Sequence, residues 1–253
     1  MSANELRAAQ LLHANLGLAQ SMYPVRRFGN KSSFGKVFET NGNKIMKISP
    51  WSKNSEREMK ISKIASNANV GPRVHNTRIW TPRTPKNANH LAILESLAPN
   101  RSKNKLSVIT MDKVPRAKSL YNAINNGTVT NWKLIESAIR RMHAAGIHHG
   151  NLHGGNILVY MNNSGQLKLV PINFGASKYS REIKNTNSAV QHSIQRFGYF
   201  RGPGICARDP SGTKCYLRPG RNQPVRSNAN MMVRLKAFFN SVQKKRLAKA
   251  EVA

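Results

Sequence analysis

The sequence predicts an α+β fold, because helical and β-like patterns both recur along the chain. Residues 1–22 carry leucines and alanines at helical spacing, which predicts an amphipathic helix. From Val25 to Ile48 the pattern changes to short β-like runs joined by an Asn41-Gly42 turn, which predicts a hairpin. With 253 residues, 39% of them apolar, the chain is long and apolar enough to bury a core.

The rest of the first half continues this alternation. Apolar residues at helical spacing predict a helix over Ser55–Ala65, and the Gly71-Pro72 pair separates it from an extended segment at 73–75. Two prolines place a loop at Trp80–Asn89. Two further strands are predicted after this loop, at His90–Glu95 and at Lys105–Lys113.

The second half begins with a strongly predicted helix. Asn131 is a typical N-cap residue, and apolar side chains from Leu134 to Met142 repeat every three or four positions. Gly146 follows the last of them, as is common where a helix ends. We therefore expect a helix that begins after Asn131 and ends before Gly146.

Two strands are predicted after this helix, at Ile157–Tyr160 and Leu167–Ile172. Residues 179–230 are rich in Gly, Pro, Asn and Arg, which predicts a loop-rich segment. The segment Met231–Ala248 predicts a last amphipathic helix with a basic end at Lys244-Lys245-Arg246. No apolar run reaches the length of about 18 residues that a membrane span needs, so we expect no transmembrane segment.

The composition combines a strong positive charge with an excess of amides. Lys and Arg number 41 against 10 Asp and Glu, and the formal net charge of +31 favours polyanionic partners such as nucleic acid. Only two residues are Asp, whereas 28 are Asn, many of them in predicted turns and helix starts where Asp is equally at home. Two explanations stay open: a lineage that exchanged Asp for Asn widely, or acids at some of these positions in the working protein.

Two short motifs carry the most specific functional signal. The first is His149-Gly150-Asn151-Leu152-His153-Gly154-Gly155-Asn156, which precedes the apolar Ile157-Leu158-Val159. The second, Ile172-Asn173-Phe174-Gly175, begins sixteen residues after Asn156. In order and spacing they resemble the catalytic loop H-x-D-L-x-x-x-N and the Asp-Phe-Gly turn of the protein kinases. At both positions where that family has Asp, this chain has Asn.

The resemblance extends from Val25 to about Lys178 and implies a bilobal protein kinase-like fold. It implies an N-terminal helical extension at 1–24, a β-rich N-lobe at 25–113, and a hinge with a reduced α-rich C-lobe at 114–253. It also implies ATP and Mg²⁺ as cofactors. Since no Ala-Pro-Glu-like sequence follows Lys178, the chain is similar to compact and atypical kinases and to kinase-like proteins of large DNA viruses.

The resemblance assigns nucleotide-binding roles to residues of the first lobe. Lys47 matches the strand lysine that holds the α- and β-phosphates, and Glu58 matches the helix glutamate that pairs with it. Met111 matches the gatekeeper residue, and the backbone of Lys113 and Val114 matches the hinge that meets adenine. The full predicted cofactor-binding set is Ser32, Gly35, Val37, Ile45, Lys47, Glu58, Met111, Lys113, Val114 and Leu158.

A glycine-rich turn covers nucleotide phosphates because the missing side chains let backbone N–H groups approach them. The corresponding segment here runs from Gly29 to Val37. Gly35 and Val37 fit the family pattern, whereas Ser32 stands where the family has glycine. A plain β-hairpin is an equally good interpretation of this segment taken alone.

The resemblance places the chemistry at three positions of the second lobe. In the family the acid at 151 orients the acceptor hydroxyl and takes its proton, Asn156 binds a magnesium ion, and the acid at 173 bridges magnesium to the phosphates. The predicted catalytic residues are therefore Asn151, Lys47 and Asn156, and the predicted metal ligands are Asn156 and Asn173. An amide lacks useful basicity and offers the metal only a neutral oxygen, which predicts activity lower by several orders of magnitude.

The leading function that this implies is phosphoryl transfer from ATP to a Ser or Thr hydroxyl of a protein, with a small-molecule acceptor also open. The alternative is a catalytically dead pseudokinase that works as a basic scaffold, in a virion or on nucleic acid, because the literal residues at 151 and 173 are amides. For either function we expect an intracellular protein, cytoplasmic, nuclear or virion-associated.

Overall fold

The computed structural model of the chain describes residues 3–28, 35–82, 87–98, 104–179 and 228–250. It is a mixed α+β structure, as the sequence predicts, and it divides into two compact units, Met1–Lys113 and Val114–Ala253. No helix of the described ranges has the length and apolar character needed to cross a membrane. Nearly all of the predicted loop-rich segment 179–230 lies outside the described residues.

The first unit is built on one antiparallel sheet. In chain order its described elements are α1 (Ala3–Leu16), β1 (Pro24–Arg27), β2 (Lys36–Thr40), β3 (Lys44–Pro50), α2 (Lys53–Asn67), β4 (Val74–Trp80), α3 (Ala88–Leu97) and β5 (Leu106–Asp112). The strand order across the sheet is β1-β2-β3-β5-β4. The predicted hairpin is confirmed as β2 and β3, and Asn43 takes a left-handed conformation (φ 53°) in the turn between them, which Asn tolerates better than most residues.

One face of this sheet is buried beneath α1 and α3. Phe38, Met46 and Ile48 of β2 and β3 are fully buried there, and they share a core cluster with Leu12 of α1 and Ile93 of α3. The other members of the cluster are Ala8, Ala9, Trp80, Leu97, Ala98, Leu106 and Val108. The predicted N-terminal helix is therefore confirmed, and its apolar side belongs to the core of this unit.

The segment predicted as a strand at His90–Glu95 is instead part of the helix α3, and that prediction was wrong. The side chain of Asn87 caps the helix by accepting hydrogen bonds from the backbone N–H groups of Asn89 and His90. Ile93 and Leu97 are the buried residues of the helix, four positions apart, which is a helical spacing. The cap and the second apolar position lie outside the short window that suggested a strand.

The helix predicted at Ser55–Ala65 is confirmed as α2. It begins with a capping box, in which Ser52 and Ser55 each bond the other's backbone N–H through their side chains. Ser55, Glu58, Met59, Ile61, Ser62 and Ala65 form its buried side. A charged residue among them, Glu58, needs a partner to be stable at this degree of burial.

The second unit contains short strands and longer helices. In chain order its described elements are β6 (Lys118–Ser119), α4 (Leu120–Asn125), α5 (Trp132–Ala144), β7 (Ile147–His148), β8 (Ile157–Met161), β9 (Leu167–Pro171), β10 (Lys178–Tyr179) and α6 (Asn228–Ala250). The strands form a three-stranded sheet, β6-β8-β9, and a pair, β7-β10. Single 3₁₀ turns occur at Gly154–Asn156 and Phe174–Ala176.

The helices and the hairpin predicted for this unit are confirmed. Asn131 caps α5 by accepting from the backbone N–H of Lys133, and Gly146 (φ 78°) follows its end. The last predicted helix is α6, whose Phe238 and Phe239 contact the rings of Tyr121 and Trp132. The short helix α4 was not predicted, although Ser119 caps its start by accepting from the backbone N–H of Asn122.

Replacing single apolar residues of α3 tests the corrected assignment. In a strand, Leu91 and Ile93 would share one face and be buried alike, whereas in the helix Leu91 is 44% exposed and Ile93 is 0% exposed. We expect Ile93→Ala to lower the free energy of unfolding by about 2–5 kcal/mol. The matched Leu91→Ala should change it by about 0.5 kcal/mol or less. Equal losses in urea unfolding would contradict the helix.

Candidate functional site

The strand lysine and the helix glutamate singled out by the sequence form an ion pair in the first unit. The Lys47 Nζ atom on β3 donates to Oε1 of Glu58 on α2 at 2.5 Å. Their side chains are only 11% and 10% exposed. Two opposite charges held this close and this dry attract more strongly than a surface pair does, since little water screens them.

Four of the predicted nucleotide-binding residues lie on the same face of the sheet. Residues directly opposite each other on antiparallel strands point to one side, and positions two apart on a strand do so as well. Val37 is opposite Lys47, and Ile45 is opposite Met111. This is the face opposite the α1–α3 core, so these four side chains could together contact a nucleotide.

The glycine of the predicted phosphate-binding turn has a packing role. A Cβ atom on Gly35 would lie 2.3 Å from Oγ of Ser49 and 2.8 Å from the carbonyl oxygen of Ile48. The close approach of β3 therefore requires glycine at this position whether or not a phosphate binds. Ser32 and the turn at 29–34 lie outside the described residues, so their predicted role stays a prediction.

The residues of the predicted hinge are held by charged contacts. The Lys113 ammonium donates to Oε1 of Glu39 at 2.7 Å and lies 5.5 Å from the centre of the Phe28 ring. This hydrogen bond holds the pKa of Glu39 below its ordinary value; desolvation opposes the shift, and Arg26 adds a smaller lowering. Lys113 and Val114 are both half-buried. The predicted contact of their backbone with adenine stays a prediction.

His149 joins the two motifs of the second unit. Its side chain is completely buried, and because a carbonyl oxygen only accepts, its Nε2–H donates to the carbonyl of Ile172 at 2.7 Å. Its ring lies 5.3 Å from that of Phe174, and its own carbonyl accepts from Oγ of Ser177 at 2.9 Å. The backbone N–H of Ile172 also donates to the carbonyl of Asn156 at 2.9 Å. The loop and the turn are therefore fixed to each other.

Gly150 is needed for this close packing. Its φ is +70°, and a Cβ atom there would lie 2.2 Å from the carbonyl oxygen of Ala176. Any side chain would push the loop away from the segment that follows the turn. Leu152, next but one in the loop, is buried and anchors the loop to the interior.

Hydrogen bonds join the amide side chains of Asn173 and Asn156 to each other and to the backbone of Asn151. Asn173 donates through Nδ2 to Oδ1 of Asn156 at 2.8 Å. Asn156 in turn donates through Nδ2 to the backbone carbonyl of Asn151 at 2.9 Å. Asn173 has a left-handed backbone (φ 64°, ψ 61°), a conformation that Asn adopts at little energetic cost. These hydrogen bonds form a chain that runs from the turn back into the loop.

The side-chain oxygen of Asn151 stands apart from this chain. Oδ1 is buried and accepts no hydrogen bond from any residue that the structure describes. A buried unsatisfied acceptor destabilises a protein by about 1–3 kcal/mol. A hydrogen bond from a ligand hydroxyl would remove this cost. An amide oxygen can accept a hydrogen bond from a hydroxyl that reaches it, but it cannot take the hydroxyl proton.

The residues present do not fit a divalent metal well. Mg²⁺ prefers charged oxygen ligands, and the two predicted ligands, Asn156 and Asn173, offer only amide oxygens. The Oδ1 atom of Asn156 already accepts a hydrogen bond from Asn173. Within the described ranges no group of three or more His, Cys, Asp or Glu side chains is arranged to hold a metal ion.

Leu158 lies on β8 directly after the loop. Ile157 and Val159 are buried on one side of this strand, whereas Leu158 is half-buried on the other. It pairs with Val170 of β9 and with Ser119 of β6, so it lies in the centre of the three-stranded sheet. A ligand could reach it on that less buried side, and its predicted contact with a nucleotide stays a prediction.

Sequence reasoning missed a buried pair of stacked histidines beneath the loop. The rings of His143 on α5 and His148 on β7 are 5.3 Å apart and nearly parallel. Burial lowers the pKa of His143 to about 4, with smaller contributions from His148, His149 and Arg140. Burial also lowers the pKa of His149 to about 4. A helical spacing of His143 with the apolar positions of α5 was the available signal.

Comparison with known proteins identifies no family. No protein-family model matches the chain, and no curated protein matches it.

The buried histidines predict a loss of stability in mild acid. An unfolded histidine titrates near 6.5, whereas His143 and His149 titrate near 4 in the fold, so the unfolded state binds protons first as the pH falls. Stability is therefore fully present above about pH 6.5 and falls toward pH 4, by up to roughly 3 kcal/mol for each histidine. Urea unfolding as a function of pH measures this loss.

Two variants test whether the buried histidines cause this loss of stability. His143→Phe keeps a flat ring but cannot titrate, so the acid-induced loss should become smaller. His90→Gln alters a half-exposed histidine of α3 and should leave the loss unchanged. A free energy of unfolding that stays constant from neutral pH to about pH 5 would contradict the assignment of neutral buried imidazoles.

Proposed function

We propose that this chain is an ATP-dependent phosphotransferase of the protein-kinase type, with a Ser or Thr hydroxyl as the acceptor. The observation that carries the proposal is the Lys47–Glu58 ion pair. The resemblance of the two motifs in the second unit to the kinase catalytic loop and metal-binding turn supports it independently. The bilobal kinase fold, with the two units as its lobes, is part of the same proposal.

A structural ion pair is the plain alternative explanation for Lys47 and Glu58. Burying two charges costs several kcal/mol for each ion before their attraction is counted, so a pair of apolar residues would serve packing as well or better. In protein kinases the same pair, a lysine of the third strand and a glutamate of the following helix, positions the lysine for the α- and β-phosphates. Lys47 lies on the third strand and Glu58 on the helix after it. The arrangement is therefore more economically explained by phosphate binding.

The acceptor side of the proposal rests on the loop held by His149. This loop presents the buried, unsatisfied Oδ1 atom of Asn151 at the position where the family has its proton acceptor. A Ser or Thr hydroxyl could donate to it and be oriented for attack. Because an amide does not remove the proton and no carboxylate is present at 173, we expect transfer to be slow.

A second function is favoured by the hydrogen bonds among the amides. Asn173 donates to Asn156, and Asn156 donates to the backbone carbonyl of Asn151, in a way that needs no ligand, which suits a pseudokinase. The basic charge gives such a protein a role as a scaffold on nucleic acid or another polyanion, since α6 alone carries six Lys and Arg and no acid. Salt-dependent binding to random duplex DNA, without measurable phosphoryl transfer, would favour this function over the first.

Phosphoryl transfer from γ-labelled ATP to a mixed Ser/Thr peptide substrate tests the proposal. We expect a slow transfer that Lys47→Met lowers by about 10-fold or more, because the phosphates lose their charged contact. Lys44→Met is the matched control, since Lys44 lies on the same strand, opposite Asp112 of β5. Equal effects of the two substitutions, or ATP binding that neither changes, would contradict the assignment of Lys47.

Restoring both acids tests the assignment of the second unit. The double substitution Asn151→Asp, Asn173→Asp should raise the transfer rate by at least about 100-fold in the presence of magnesium, because it supplies a proton acceptor and a charged metal ligand. Adding Lys47→Met to this variant should remove the gain. A double variant that folds, binds ATP and transfers no faster than the parent would argue against the kinase-type site.

A further inference from the structure

We infer that the Asn156–Asn173 amide pair takes the place of a divalent cation, so that the chain binds the polyphosphate of a nucleotide without magnesium. The inference rests on the nucleotide-binding part of the proposed function. It goes beyond that proposal by reversing the usual metal requirement of the site.

The direction of the hydrogen bonds around Asn156 is fixed by one carbonyl group. The backbone oxygen of Asn151 can only accept, so the Asn156 side chain must direct Nδ2 toward it. The other end of the same amide, Oδ1, then faces Asn173 and needs a donor. Asn173 supplies that donor through its Nδ2 atom at 2.8 Å. Position 173 therefore acts as a hydrogen-bond donor and not as a metal ligand.

The amide groups at this place do not favour the binding of a cation. It would have to displace the Asn173 N–H from Oδ1 of Asn156 and turn the Asn173 amide around to use its oxygen. Both ligands would then be neutral, whereas a hard dication binds through charged oxygens. The N–H of an amide repels a cation and attracts an anionic phosphate oxygen.

An aspartate at 173 would conflict with the same network. Its ionised carboxylate only accepts hydrogen bonds, so it would face Oδ1 of Asn156 with two acceptors in contact. Turning the Asn156 amide would instead bring its oxygen against the carbonyl of Asn151, which is the same conflict in another place. The amide at 173 is therefore matched to Asn156, and an acid would need a cation between the two.

The overall charge acts in the same direction. Free ATP carries more negative charge than its magnesium complex, and a chain with a formal net charge of +31 attracts the more highly charged form more strongly. The neutralisation of phosphate charge that magnesium supplies in a kinase would come here from the basic residues of the chain.

The first experiment measures ATP affinity of the full-length protein with EDTA and with magnesium, at constant ionic strength. We expect magnesium to leave the affinity within about 3-fold or to weaken it, and to strengthen binding by about 10-fold or more in Asn173→Asp. Asn163→Asp is the matched control, because it adds the same charge at an exposed turn and should behave like the parent. Parent protein that binds ATP much more tightly with magnesium would overturn the inference and leave the proposed function standing.

The second experiment needs no nucleotide, so it tests the inference even if the proposed function fails. Without divalent cations, Asn173→Asp should lower the melting temperature by about 4 °C or more relative to Asn163→Asp, since it places two acceptors against each other. Magnesium should restore part of this loss in Asn173→Asp and change nothing in the parent. Equal melting temperatures of the two variants would overturn the inference. Absence of ATP binding in the parent and in both variants would instead count against the proposed function.

Discussion

The hydrogen bond from the His149 imidazole to the carbonyl of Ile172 is the interaction on which the candidate site depends. It joins the loop that carries Asn151 and Asn156 to the turn that carries Asn173. A neutral imidazole in a completely buried position keeps this bond directional, and burial keeps the pKa of His149 near 4, so the ring stays neutral at physiological pH. Together with the hydrogen bond from the Ile172 N–H to the Asn156 carbonyl, it holds the loop against the turn where Asn173 bonds Asn156.

Much of the fold follows from local signals in the sequence. The β2–β3 hairpin, the helix that begins after Asn131 and the hairpin after the loop each have a turn or a cap residue next to a clear periodicity, and each is found. The segment around Ile93 shows the limit of such reasoning. Over six residues its apolar pattern fits a strand or a helix, and the cap at Asn87 and the core formed with α1 decide between them.

The candidate site, like the fold, could be predicted from the sequence only in part. Motif spacing singled out Lys47, Glu58 and the three amides, and the contacts of Lys47 with Glu58 and of Asn156 with Asn173 are present. Spacing could not reveal the direction of the amide hydrogen bonds, because this is set by the backbone carbonyl of Asn151, which is the same for any sequence. It also could not separate the packing role of Gly35 from a phosphate-binding role, since both require a missing side chain.

The amides and the positive charge form one coherent physical picture. With 28 Asn and only two Asp the chain carries little negative charge, and under the proposed function positions 151 and 173 lack the two charges that a kinase uses for proton transfer and metal binding. Under the proposed function, such a protein would attract a polyphosphate strongly but would be poorly equipped to stabilise the transition state of phosphoryl transfer.

The most direct test of this picture is a crystal structure of the protein grown with an ATP analogue and Mn²⁺, with anomalous data collected for manganese. We expect bound nucleotide, Asn173 Nδ2 within hydrogen-bonding distance of Asn156 Oδ1, and no anomalous peak at the amide pair. A manganese ion bound to the side-chain oxygens of Asn156 and Asn173 would contradict it.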